Sequence, residues 1–320
     1  MNSKPVLIVA GEPNSVFLEI FFKSFKKNKF KRHNILIVSK KLLLEQMKIL
    51  NFNFQINEVD KKKINFAYLS KKKINIINVD FNFKKPFDRI SNKSNTYINK
   101  CFKISLELLK TKKFSGLING PISKKDFLKK DFLGITEFMA SNTGRSNFAM
   151  LIYNKKLSVS PITTHLALKD VHKKITKKKI INHVKLIKSF YKNQFNKNVK
   201  IAITGLNPHC ESNYQSSEED RIIAPAIKYL NIKKVKVFGP FSADTVFMEE
   251  QYKKYDVIIG MYHDQVLTPA KSLFGFKAIN ITLGLPFIRI SPDHGPNEGM
   301  LGKNLSNPQS LVQALKFMDK

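Results

Sequence analysis

Short apolar runs of strand length alternate with longer segments of helical period along almost the whole chain, and this alternation restricts the fold more than any other feature. A strand buried on both faces of a parallel sheet reads as a continuous apolar run, and parallel neighbours need a crossover that is usually a helix. The expected class is α/β with a mostly parallel sheet. Runs at 6–10, 35–38, 74–79, 116–119, 148–153, 158–163, 199–204, 235–238, 257–260 and 277–282 read as strands. The clearest helix is expected over 175–192, where Ile180, Val184, Ile187 and Tyr191 share one stripe while Lys178, Lys185 and Lys192 face elsewhere. Residues 51–85 break the rhythm with lysine and asparagine and read as a divergent edge region without assigned function.

With 320 residues, 42% of them hydrophobic, the chain can bury cores for two domains or one large one, and no Pro/Ser/Gly-rich linker separates it into beads. No apolar run approaches the length of a membrane span. MNSKPVLIVAGEPN reads as a first strand and turn without a signal peptide's apolar core, so a soluble cytoplasmic protein is expected. Cys101 and Cys210 are the only cysteines, which fits two free thiols in a reducing compartment. The formal charge of +32 invites a nucleic-acid reading, but only five of the 56 basic residues are arginine and the lysines are dispersed. Runs such as 61–63 and 177–179 lack interleaved aromatics and read as solvated faces, so nucleic acid is not an expected partner. The positive field favours small phosphorylated or carboxylated ligands.

Three strand-like runs each lead within a few residues to a histidine: VSPITTHL to His165, KIAITGLNPH to His209 and DVIIGMYHDQ to His263. Loops at the carboxyl ends of parallel strands carry ligand-binding groups, and three imidazoles delivered to one rim could hold a divalent metal. Separations of 44 and 54 residues form no compact metal motif, so each histidine taken singly reads as a loop or packing residue rather than a ligand.

GLNPH (205–209), GPFSADTVF (239–247), MYHDQ (261–265), INITLGLPFIR (279–289) and SPDHG (291–295), with AGEP (10–13), GPISK (120–124), ITEF (135–138) and TTHLALKD (163–170), occur in one order along nearly the whole chain. Together they resemble the 4-hydroxythreonine-4-phosphate dehydrogenase family of pyridoxal phosphate biosynthesis; MYHDQ with NITLGLPFIR is the most specific part. The resemblance implies two α/β/α domains with a mostly parallel sheet and an interdomain cleft, like isocitrate and isopropylmalate dehydrogenases. Domain 1 would comprise 1–125 plus 273–320 on the cofactor side, and domain 2 would comprise 126–272 with the metal ligands and dimer interface. It further implies a homodimer with a shared active site. The metal ligands and catalytic centre would be His165, His209 and His263, drawn from both subunits, with zinc as the metal or else cobalt, magnesium or manganese. Substrate would meet Thr136, Lys271, Asn280 and Arg289, the cations Lys271 and Arg289 suiting phosphate or carboxylate. Asp293, His294 and Gly295 would lie near NAD or NADP. The implied reaction oxidises 4-phosphooxy-L-threonine to a β-keto acid that loses carbon dioxide.

From the residues alone, Lys271 and Arg289 read as exposed cations flanking a Gly-Leu-Pro turn, with surface solubility as the alternative. Asp244 and Asp264 could orient histidines through their second ring nitrogen or could cap helices, and Asp170 reads as a helix N-cap. Several positions depart from the family. Ile135 stands where the family has a histidine in GHTEF, and an apolar side chain cannot replace that hydrogen bond. Residues 296–304, the turn at 11–19 and the segment after NPH also differ, the latter two losing glycines. These changes keep open another 4-phosphorylated hydroxy acid, threonate or erythronate phosphate, as substrate, and a non-catalytic basic homologue as a further alternative.

Overall fold

The computed structural model describes residues 4–27, 29–128, 131–210, 216–292 and 294–320. The chain divides into two compact units, one running up to Ile135 and including Phe287–Lys320, the other Thr136–Pro286. Both divisions fall later in the chain than the 125/126 and 272/273 boundaries expected from sequence.

Among the described residues the strands, in chain order, are β1 (Val6–Val9), β2 (Asn34–Val38), β3 (Ile56–Glu58), β4 (Ile74–Asn78), β5 (Gly116–Asn119), β6 (Ala149–Tyr153), β7 (Ser158–Pro161), β8 (Ile201–Thr204), β9 (Val237–Phe241), β10 (Val257–Gly260), β11 (Ile279–Leu283) and β12 (Ile288–Pro292). In the first unit the order is β3-β4-β2-β1-β5-β12 and every pairing is parallel. Every residue of β1 and β5 is buried, as a parallel strand covered by helices on both faces requires. The segment 51–85 supplies β3 at the outer edge, next to β4.

In the second unit the order is β11-β6-β7-β10-β8-β9. β7, β10, β8 and β9 are parallel, while β6 runs antiparallel to both β7 and β11. Met150, Val159, Ala202, Ile258 and Val266 form the centre of its core. The lysine-rich helix runs Lys177–Phe195; Thr176 caps its start by accepting the Lys179 amide at 3.2 Å, and Asn196 ends it in a left-handed conformation. Its stripe of Ile180, Val184, Ile187 and Tyr191 is buried as the periodicity requires, and His183 lies on the same stripe.

Two local expectations change. Asp170 is not an N-cap: it sits in the first turn of the helix Leu168–Lys174, where Lys173 approaches it at 3.2 Å, and Ala167 occupies the cap position. β12 is a strand not expected from the sequence, which places only a Gly-Leu-Pro turn before it; it pairs with β5. Cys101 and Cys210 are both free thiols. Among the described residues no helix is long and apolar enough to cross a membrane.

Candidate active site

The parallel order β7-β10-β8 puts three strand ends on one edge of the second unit, each followed by a histidine-bearing loop. The ladder continues beyond β7 and β10, with Ile162 N donating to Gly260 O at 2.8 Å and Thr163 Oγ1 to Met261 O at 2.7 Å. That pairing carries His165 and His263 out side by side. Their ring centroids lie 5.5 Å apart with planes tilted by 39°. Both rings line a recess of about 380 Å³ with Thr164, Leu166, Val171, Tyr262 and Asp264.

Two carboxylates address histidine Nδ1 atoms. Asp264 Oδ1 lies 2.6 Å from His263 Nδ1, and Asp244 Oδ2 lies 3.9 Å from His209 Nδ1. The first is a hydrogen bond; the second is an ionic approach beyond hydrogen-bond range. Such a carboxylate favours the Nδ1–H tautomer and leaves Nε2 as the free electron-pair donor, which is how metal-ligating histidines are usually oriented. The Ser242 hydroxyl, more than the nearby His209, holds the Asp244 carboxyl below the usual carboxylate range, so it stays ionised at neutral pH.

The loop bearing His209 is conformationally costly. His209 and Cys210 have φ of 57° and 58°, left-handed values that cost non-glycine residues about 1–2 kcal/mol each. Buried Glu219 offsets this by accepting Leu206 N at 2.7 Å, Asn207 N at 2.9 Å and Asn207 Nδ2 at 2.9 Å. Burial pushes that carboxyl up, but the hydrogen bonds from Asn207 and Leu206 outweigh it and hold it below its usual range. Among the described residues, no three His, Cys, Asp or Glu side chains are placed together to hold a metal. His165 and His263 are thus brought together within one chain, while His209 stands with Asp244.

Thr136 is buried at the start of the helix Ile135–Asn142, its Oγ1 3.5 Å from Thr282 Oγ1 on β11. Asn280, two residues before Thr282, shares that face of β11 by the strand period, so Thr136 and Asn280 address one surface. The Oδ1 of Asn280 is buried without a hydrogen-bond partner among the described residues. Lys271 is exposed on the helix His263–Phe274. Arg289 is not the exposed cation expected: it lies within β12 at 0% exposure, its Nε donating to Asn119 Oδ1 at 2.7 Å. A residue within this strand faces a covered surface, whereas one flanking the Gly-Leu-Pro turn would have been exposed. Asp293 lies outside the described residues, as do 211–215. His294 turns its Nδ1 to Gly295 O at 3.0 Å, and Gly295 is exposed. The following Pro296 accepts Val16 N at 3.1 Å, joining this turn to the AGEP loop.

Sequence reasoning passed over Glu12, His183, Glu219 and Gln265. Burial pushes the Glu12 carboxyl up to about 7, against hydrogen bonds from Asn14 N and Ser94 Oγ, with Asp126 and Glu298 adding to the rise. Gln265 stood in plain view inside MYHDQ, but nothing local reveals its partners.

The sequence matches the family described as pyridoxal phosphate biosynthetic protein PdxA over residues 31–318. A 4-hydroxythreonine-4-phosphate dehydrogenase of Sulfurihydrogenibium sp. (strain YO3AOP1) is 40% identical over 322 residues, covering 97% of this chain and 96% of the relative. A protein of Oceanobacillus iheyensis, provisionally named D-threonate 4-phosphate dehydrogenase, is 29% identical and covers 98% of this chain and 97% of its own. The solved structure of a 4-hydroxythreonine-4-phosphate dehydrogenase from Klebsiella pneumoniae has a TM-score of 0.85 and 26% identity, covering 99% of this chain and 98% of that one.

Proposed function

Because the chain belongs to the family of pyridoxal phosphate biosynthetic protein PdxA, we propose that it is a metal-dependent, NAD(P)-linked 4-hydroxythreonine-4-phosphate dehydrogenase. It oxidises the secondary alcohol of 4-phosphooxy-L-threonine to 2-amino-3-oxo-4-phosphobutanoate, which decarboxylates to 3-amino-2-oxopropyl phosphate. The observation that carries this reading is the pair His165 and His263 sharing one recess at the strand ends of a family member.

The donor set fits a divalent cation such as zinc as far as one chain goes, with two imidazoles, one backed by Asp264. On the resemblance, His209 completes the set, with the three ligands drawn from both subunits. When bound, the metal supplies positive charge that lowers the proton affinity of the substrate alcohol and stabilises negative charge developing on that oxygen. NAD or NADP, when bound, would supply the hydride acceptor. Asp264 fixes the His263 tautomer through its hydrogen bond, while Asp244 stands near His209 without one. Thr136 and Asn280 offer a hydroxyl and an amide along one face of β11 for the substrate's polar groups. Lys271 and Arg289 supply the cations for phosphate or carboxylate, and enclosed Arg289 reaches an anion only if its surroundings open. His294 and Gly295 flank the cofactor, on the strength of the resemblance.

The test is reduction of NAD and NADP by zinc-loaded protein, with 4-phosphooxy-L-threonine and D-threonate 4-phosphate side by side. Turnover of the amino acid phosphate is expected. Turnover of the threonate phosphate alone would replace this reading with a second one. That second reading is favoured by Ile135, which cannot make the contact of the family histidine, and by the similarity to the Oceanobacillus protein.

A further inference from the structure

Gln265 follows His263 by two residues on the helix His263–Phe274, and its amide joins two strand ends. Oε1 accepts Met261 N at 2.7 Å and Thr204 Oγ1 at 2.9 Å, while Nε2 donates to Gly205 O at 2.8 Å. Met261 follows the last residue of β10 and leads to His263. Thr204 closes β8, and Gly205 opens the loop to His209. One uncharged side chain therefore ties the backbone of the His263 loop to that of the His209 loop. A primary amide is suited to this because it offers an acceptor and donors at once, which neither a carboxylate nor a thioether does.

β10 ends in a glycine and β8 is followed by one, where this junction needs room. A Cβ on Gly260 would lie 2.9 Å from Gln265 Oε1 and 2.4 Å from Val266 Cγ1. A Cβ on Gly205 would lie 2.9 Å from Glu219 Oε1 and 2.7 Å from Cys210 Sγ. Residues 205–207 are thus held on one side by Gln265 and on the other by Glu219, with His209 two residues further on.

We propose that Gln265 is a positioning residue whose amide sets the His209 loop against the His263 loop, and so places the imidazoles that ligate the metal. The inference rests on the metal-site reading of His165, His209 and His263. Gln265 therefore links two of the three loops that carry the proposed ligands. Its loss weakens both contributions.

The experiment compares full-length wild type with Gln265→Met, Gln265→Glu and His263→Ala. Zinc affinity is read by competition with a chromophoric chelator, and amide hydrogen exchange over 205–210 is read without metal. Gln265→Met removes all three bonds. Gln265→Glu keeps the two accepted by Oε1 and sets a carboxylate oxygen against Gly205 O. Both variants are expected to keep the wild-type far-UV spectrum and to exchange faster over 205–210. Zinc affinity should fall by about tenfold to a hundredfold, as is usual for groups that orient ligands. If Gln265→Met fails to fold, Gln265→Glu decides alone. Folded variants that bind zinc as tightly as wild type overturn the positioning role and leave the metal site standing. Wild type that takes up no zinc, or His263→Ala that binds it unchanged, overturns the metal reading and the positioning role with it.

Discussion

Lowering the pH should destabilise the second unit through His183, a buried imidazole that no proposed chemistry uses. His183 is 4% exposed on the helix Lys177–Phe195, and its Nε2 lies 2.6 Å from Ser160 Oγ. The Ser160 hydroxyl gives its one proton to Met150 O, so the ring must donate from Nε2. Burial, with a smaller push from Lys179, lowers its pKa from 6.5 to about 3. Between those values the unfolded chain binds a proton that the native chain does not. Stability is therefore complete above the unfolded pKa and is lost as pH falls, at 1.36 kcal/mol per unit. From pH 7.5 to 5.0 the span below 6.5 is 1.5 units, which amounts to about 2 kcal/mol. His183→Gln keeps a donor for Ser160 but does not titrate. It should be less stable than wild type at pH 7.5, yet lose about 2 kcal/mol less between pH 7.5 and 5.0. Urea unfolding followed by far-UV circular dichroism at both pH values gives the comparison. If the variant loses as much stability on acidification as wild type, His183 is not the acid-sensitive group.

Glu12 should behave in the opposite sense. With its pKa raised from 4.5 to about 7, its contribution is complete below 4.5 and lost as pH rises through 7. Wild type should therefore lose about 2 kcal/mol relative to Glu12→Gln between pH 5.5 and 8, measured by the same urea titration. Asp264→Asn should weaken zinc binding by about tenfold or more with little change in melting temperature, because the amide is a poorer acceptor for His263 Nδ1 than the carboxylate. A chelator competition checks it, and an unchanged affinity would remove Asp264 from the site. Gly260→Ala should destabilise the protein by about 1–3 kcal/mol, since its Cβ meets Val266 and Gln265, and calorimetry would show a lowered melting temperature.

What could be read ahead of the structure was what the chain writes locally. β1 and β10 hold no polar side chain and β5 only its terminal Asn119, because helices cover both their faces, so each stands out as a run without alternation. The helix Lys177–Phe195 announced itself by its stripe, and His183 could have been added because it lies one position before Val184 on that same face. β12 hid because Arg289 breaks its apolar run and Pro292 ends it. A charged residue in a strand is rare unless it is partnered, and the partner, Asn119, is 170 residues away.

The same limit governs the site. His263 and Asp264 are neighbours in sequence, so a carboxylate behind that imidazole was legible, and Asp244 could be suspected from its motif. The amide of Gln265 reaches Thr204 and Gly205 across 61 and 60 residues, and Glu219 caps a loop that precedes it. Hydrogen bonds of this kind have no period and no fixed spacing; they exist only after β8 and β10 have been laid side by side. The residues that present the chemistry could therefore be named from the chain alone. Those that aim them could not, because a polar side chain acquires its role from whichever strand end the fold brings within about 3 Å.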